Sequence, residues 1–144
     1  MAKMIFVNLP VADVAAATDF YAALGFTKNE MFSNEQASAM EWSDTISVML
    51  LDTAFYATFT DKALIDAKTT SGVLLAISRD TRAEVDAITE AAITCGGRET
   101  REKQDMGFMY SRAFEDLDGH IWEPVFMDME VAAQTMGKPE AVTA

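Results

Sequence analysis

The sequence predicts an α+β domain built from two copies of one unit, in which a strand and a helix are followed by three further strands (βαβββ). Two segments of the 144-residue chain share this order of strand-like and helix-like patterns. Each predicted helix follows a capping residue, Asp13 or Asp80, and ends at a glycine, Gly25 or Gly96. The caps and the terminating glycines recur at similar spacings, as expected for a duplicated unit with small insertions.

The first unit begins with a strand over residues 5–11. Ile5, Val7, Leu9 and Val11 alternate there with Phe6, Asn8 and Pro10, which gives the strand two distinct faces. A helix follows over residues 14–24, because its alanines favour helix and its apolar residues recur at helical spacing. Apolar alternation and turn residues then predict three strands, at residues 26–32, 37–42 and 45–51.

The second unit repeats this order with a strand over residues 73–78 and a helix over residues 82–95, capped by Asp80 or Thr81. Its remaining strands are predicted at residues 98–102, 108–115 and 120–127. Between the units, Thr60 or Asp61 is predicted to cap a short helix through Leu64 and Ile65. We therefore predict one domain over residues 1–128, with units at about 4–52 and 72–128, a connector at 53–71 and a tail at 129–144.

Composition and charge exclude several classes of protein. Half of the residues are hydrophobic and 24% are charged, which is typical of a globular domain with a packed core. The formal charge of −12 argues against nucleic acid and anionic membrane as partners, since both attract basic surfaces. Cys95 is the single cysteine, so no internal disulfide can form. No apolar run reaches membrane-span length, and the first residues lead directly into a strand, so we expect a cytoplasmic protein.

The stretch from Asp116 to Glu123 carries the first functional candidate. Asp116 to Gly119 form a turn, in which Gly119 supplies the positive φ, and the following strand places Glu123 on an apolar face. A carboxylate there needs a partner, a ligand or water. Two interpretations stay open: a structural carboxylate bonded to a Tyr or Arg, or a general base or ligand anchor. We expect Asn8, Tyr110 and Arg112 beside it, Arg112 as its ion-pair partner, and His120 exposed in the turn.

Three segments of the sequence resemble the motifs of a known superfamily. Residues 6–13, the helix end at residues 20–26 and Asp116-Leu117-Asp118-Gly119-His120-Ile121-Trp122-Glu123 together resemble the vicinal oxygen chelate superfamily. That group includes glyoxalase I (lactoylglutathione lyase), bleomycin- and fosfomycin-resistance proteins and extradiol dioxygenases. The resemblance implies two curved sheets around a cleft, metal ligands on the first and last strand of each unit, and a homodimer whose chains complete each other's clefts.

Carried over residue by residue, the four ligand positions are Phe6, Val48 (or Met49), Val73 and Glu123. Only Glu123 could bind a metal, and His120 falls on the opposite strand face. We therefore expect no metal or other cofactor. The resemblance then implies a metal-independent binding protein, or an enzyme of unassigned substrate. The alternative is a metal-dependent lactoylglutathione lyase or ring-cleavage dioxygenase whose ligands come from outside the family pattern.

The expected cleft is mostly apolar, with a few polar groups at one end. Its ligand is expected to be small and partly aromatic, with a polar or cationic group that meets Glu123. Glu123 is the candidate catalytic residue. The candidate substrate-binding residues are Phe6, Asn8, Val48, Val73, Tyr110 and Arg112.

Overall fold

The structure, a computed structural model, describes residues 2–136 and confirms the predicted α+β fold of two βαβββ units. The helices and strands in chain order are β1 (Ile5–Val11), α1 (Val14–Ala23), β2 (Thr27–Lys28), β3 (Ala37–Glu41), β4 (Ile46–Asp52), α2 (Thr53–Tyr56), β5 (Leu74–Ser78), α3 (Arg82–Thr94), β6 (Arg98–Asp105), β7 (Met109–Glu115), β8 (Ile121–Met127) and α4 (Met129–Met136). The helices and strands of the two units fall within residues 4–52 and 72–128.

Each unit forms one four-stranded sheet with the same topology. Sheet 1 has the order β1-β4-β3-β2, and sheet 2 has the order β5-β8-β7-β6. The first and last strands of each unit pair in parallel, whereas the other neighbours are antiparallel. The helix of each unit connects its first strand to the strand at the far edge, which leaves the last strand at the centre beside the first.

Local capping explains where the two long helices begin and end. The side chain of Asp13 accepts a hydrogen bond from the backbone N–H of Ala16 at 3.0 Å, which fixes the start of α1. Thr81, rather than Asp80, caps α3 by accepting from Glu84 N–H at 3.1 Å. Gly25 and Gly96 follow the helix ends with φ values of 108° and 104°, a conformation that costs glycine little.

One hydrophobic core joins the two units. Phe20 and Tyr21 from α1 pack with Ile88 and Ala92 from α3, and strand residues of both sheets complete the cluster. Tyr21 makes edge contacts with Phe20, Phe26 and Trp122. The helices therefore cover the inner face of each sheet, and the opposite face of each sheet is left for other contacts.

A buried polar network also links the units. Tyr21 donates its hydroxyl hydrogen to Asp116 at 2.5 Å and accepts from the indole N–H of Trp122 at 2.8 Å. Burial raises the pKa of the Asp116 carboxyl and the pKa of the Tyr21 hydroxyl above their ordinary values. His120 Nε2 lies 2.8 Å from the carbonyl oxygen of Pro10. His120 is therefore half-buried between the units, and the prediction of an exposed turn residue is wrong.

The connector differs from its prediction. The short helix occupies Thr53–Tyr56, because Asp52 caps it, and no helix starts at Thr60 or Asp61. Gly119 has a φ of 95° and touches the connector so closely that a Cβ there would lie 2.6 Å from Ala67. The predicted tail begins with α4, and its residues 137–144 lie outside the described part. None of the helices within residues 2–136 is long and apolar enough to cross a membrane.

Candidate functional site

Each sheet has an open face, which we define as the face opposite the helices. In β1, Leu9 and Val11 enter the core, so Phe6 and Asn8 lie on the open face of sheet 1. In β8, Trp122 enters the core, so Glu123 and its strand neighbours two residues away lie on the open face of sheet 2. The candidate site is built on these two faces.

Val48 lies on the wrong face for its predicted role. It pairs with Val7 in the parallel register and is fully buried in the core. Met49, the alternative at this position, pairs with Asn8 and lies on the open face. The correction follows from the two-residue period of a strand, since a shift of one residue exchanges the faces.

Val73 is also displaced from its predicted place. Strand β5 begins one residue later, at Leu74, and Val73 is exposed before it. The residue that pairs with Glu123 is Ala76. The open face of sheet 2 therefore has a methyl group beside the carboxylate, where the sequence analysis expected the side chain of Val73.

Tyr110 and Arg112 do not accompany Glu123. They lie on the face of β7 that packs on α3, because Phe114 of the same face is in the core. Tyr110 donates to Asp86 at 2.6 Å, and Arg112 binds Asp86, Glu90 and Glu99 at 3.0, 2.6 and 2.9 Å. The predicted Arg112–Glu123 pair is thus wrong.

The carboxylates around Arg112 are strongly coupled to it. Hydrogen bonds to Glu99, Glu90 and Asp86 raise the pKa of Arg112 above its usual value. The hydrogen bond from Arg112 lowers the pKa of Glu99, and bonds from Tyr110 and Arg112 lower the pKa of Asp86. This cluster ties α3 to sheet 2.

Glu123 is instead paired with Arg101 of β6. Arg101 Nη2 lies 3.4 Å from Glu123 Oε2 and donates to Ser111 Oγ at 3.2 Å, while Nη1 donates to the carbonyl oxygen of Glu102 at 3.1 Å. The side chains of Arg101 and Glu123 are 28% and 24% exposed. The pair therefore stands at the surface of the open face, within reach of a ligand.

Sequence reasoning missed Arg101 because β6 is irregular. Its pairing with β7 shifts between Glu99 and Arg101 and again between Arg101 and Gln104. Such shifts change which side chains face the same way, so simple alternation does not assign Arg101 to a face. One signal in the sequence could have found it. Arg101 is a basic residue on β6, and β6 pairs with β7. In turn, Ser111 of β7 lies opposite Val125 of β8.

A separate cavity lies on the open face of sheet 1. Asn8, Leu51, Tyr56, Phe59 and Thr60 line a cavity of about 250 Å³. Phe55 and Phe59 meet edge to face with ring centroids 5.1 Å apart, which builds an aromatic wall. The connector thus borders the open face, and its aromatic residues Tyr56 and Phe59 line the cavity with Asn8, although they are not among the six candidate substrate-binding residues.

The residues on the open faces do not fit the metal that the superfamily implies. At the middle of the first and last strands, the paired residues are Asn8 with Met49 and Ala76 with Glu123. These side chains offer an amide, a thioether, a methyl group and one carboxylate, whereas zinc and iron sites in proteins need three or more N, O or S ligands. Within residues 2–136 no three His, Cys, Asp or Glu side chains are grouped to hold a metal.

Comparison with known proteins first gives a family match within the N-terminal unit. Residues 3–41 match the family model described as bleomycin resistance protein-like N-terminal. This segment runs from the start of β1 to the end of β3. No curated protein matches the chain.

Solved structures show the same fold over most of the chain. A hypothetical protein from S. aureus is 24% identical with a TM-score of 0.74, covering 88% of this chain and 94% of its own. A glyoxalase/bleomycin resistance protein/dioxygenase family enzyme from Burkholderia phytofirmans is 18% identical (TM-score 0.72; 88% and 99% covered). A glyoxalase-related enzyme from Fulvimarina pelagi is 20% identical (TM-score 0.73; 88% and 88% covered). These structures show the fold, and with the family model they confirm the resemblance to the vicinal oxygen chelate superfamily.

Proposed function

We propose that this chain, which has the glyoxalase/bleomycin resistance/dioxygenase fold, binds a small, partly apolar molecule on the open faces of its sheets without a metal ion. The observation that carries the proposal is the Arg101–Glu123 pair. Glu123 is the single carboxylate among the four strand positions Asn8, Met49, Ala76 and Glu123, and a guanidinium already balances its charge. The proposal covers a binding protein and a metal-independent enzyme, because both need the same pocket.

The open faces have the composition of a small-molecule site. Phe6 on sheet 1 and Leu74 on sheet 2 are 54% and 56% exposed. These apolar surfaces lie on the same faces as a few polar groups, namely Asn8 on one sheet and the Arg101–Glu123 pair on the other. Small-molecule pockets combine an apolar lining with a few placed polar groups in this way.

The metal-dependent lyase or dioxygenase has no comparable support, because Glu123 would be the single carboxylate among the four strand positions. Elemental analysis of protein purified without added metal tests this point. We expect far less than one zinc, nickel, manganese or iron per chain. One equivalent of any of them, lost in Glu123→Ala, would contradict the proposal.

The active form in this proposal is a homodimer, in which a second copy covers the exposed apolar residues of the open faces. Large exposed apolar patches mark interaction surfaces. Light scattering after size exclusion should give twice the 15.8 kDa mass of one chain. Leu74→Glu should shift the protein toward the single-chain mass, whereas Ile93→Glu, on α3, should not. A wild-type mass of 15.8 kDa would refute the dimer.

A further inference from the structure

The guanidinium of Arg101 places a fixed positive charge on the open face of sheet 2. It is held from three sides, by Ser111 Oγ at 3.2 Å, by Glu123 Oε2 at 3.4 Å and by the carbonyl oxygen of Glu102 at 3.1 Å. Arginine keeps its charge at any physiological pH. The position and the charge of this group are therefore set before any ligand arrives.

The guanidinium of Arg101 makes fewer bonds to carboxylates than that of Arg112. Arg112 is 11% exposed and makes four hydrogen bonds to three carboxylates, at 2.6–3.0 Å. Arg101 is more exposed and has one carboxylate contact, at 3.4 Å, which is longer than the 2.7–2.9 Å of a strong charge-assisted bond. A guanidinium has five N–H donors, so the three contacts of Arg101 leave donors for a ligand.

The surroundings of Arg101 favour an anion with an apolar body. In the strand registers, Ala113 lies opposite Arg101 and Ala76 lies opposite Glu123, so small side chains flank the pair. Ile121 and Val125 extend this apolar surface along β8. A cationic ligand group would meet the like charge of Arg101 and would compete with it for Glu123.

We propose that Arg101 recognises a carboxylate or a similar planar oxyanion on the ligand, and that Ser111 and Glu123 act as positioning residues for its guanidinium. This inference rests on the proposed function and names the ligand class of the same site. It replaces the expectation of a cationic group at Glu123, which was based on an unpaired carboxylate. Planar bidentate recognition of a carboxylate is a property of arginine that lysine lacks.

Three probes that share one ring and differ in charge test the inference. Benzoate, benzyl alcohol and benzylamine are titrated by ligand-observed NMR in EDTA at pH 7 and low salt, against wild type, Arg101→Met and Glu123→Gln. We expect wild type to prefer benzoate. Arg101→Met should weaken benzoate at least tenfold and leave benzyl alcohol unchanged. Glu123→Gln should keep or tighten benzoate binding, because the glutamine oxygen can still accept from Arg101 and position it, while the negative charge that competes with benzoate is removed.

Arg98→Met is the matched control, since Arg98 lies on the same strand, pairs with Glu115 and is 68% exposed. It should leave benzoate binding within about twofold of wild type. If Arg101→Met fails to fold, Arg101→Lys takes its place in the test. Lysine keeps the charge and loses the planar fork, so its affinity for benzoate should be lower than that of wild type but not abolished.

Several outcomes would overturn the inference and still leave the proposed function standing. One is a preference for benzylamine that is lost in Glu123→Gln, and another is equal benzoate binding by wild type and Arg101→Met. Failure of wild type to bind any of the three probes also overturns it. The proposed function fails on different results, namely a stoichiometric metal at Glu123, binding that requires added metal, or no binding of any small molecule by EDTA-treated protein.

Discussion

Replacing Arg112 with methionine is expected to lower the free energy of unfolding by about 3 kcal/mol, the lower end of the cost of breaking a buried ion pair, because Arg112 is 11% exposed but its carboxylate partners are 30–62% exposed. Methionine keeps much of the apolar stem but leaves Asp86, Glu90 and Glu99 near one another without their shared cation. The melting temperature should fall by about 10 °C for a chain of this size. Urea unfolding followed by circular dichroism measures the loss.

Arg98→Met is the control for this prediction, because Arg98 forms one exposed pair, with Glu115. Surface pairs contribute about 0–1 kcal/mol, so the control should change little. An equal, small effect of both substitutions would show that the Arg112 cluster does not stabilise the fold.

The same cluster predicts how stability depends on pH. The pKa values of Asp86 and Glu99 are lowered in the folded state from ordinary values of 3.8 and 4.5. The unfolded chain therefore binds more protons in this range, and stability is lost as pH falls below about 5. Arg112→Met should flatten this acid dependence. An unchanged slope between pH 5 and pH 3 would argue against the coupling.

Tyr21→Phe is expected to cost about 3 kcal/mol as well, although it removes a single oxygen. The hydroxyl is fully buried, donates to Asp116 and accepts from Trp122. Its loss leaves two buried polar groups without this partner, at about 1–3 kcal/mol each. Tyr56→Phe, at the cavity of sheet 1, is the matched control and should stay within about 0.5 kcal/mol. Equal stability of the two variants would contradict the role of the network.

The repeated unit could be predicted because its signals are local. The alternation in β1, the Asp13 cap and the glycines after the helices each depend on a few neighbouring residues. The positions of His120 and the connector could not be predicted in the same way. His120 meets Pro10 across the two units, and that contact depends on how they pack.

The candidate site was harder because it depends on strand register. The sequence offered both Val48 and Met49, and only the pairing with β1 decides which one lies on the open face. For Tyr110 and Arg112 a signal was present, since the tight turn after Glu115 sets Phe114 opposite Trp122. The even residues of β7 therefore lie on the face that packs on α3. No turn fixes the register of Arg101 in this way, because the pairing of β6 with β7 shifts once before Arg101 and once after it.

The central claim is that the open faces bind a small molecule without metal, and a titration in EDTA tests it most directly. Compounds found by thermal-shift screening are titrated against three proteins: wild type, Ala76→Phe and Ala87→Phe. Ala76→Phe fills the open face beside Glu123. Ala87→Phe is the matched control, at an exposed position of α3. We expect wild type and Ala87→Phe to bind alike in EDTA and Ala76→Phe to lose at least tenfold. Binding that requires added divalent metal, or that is equal in all three proteins, would contradict the claim.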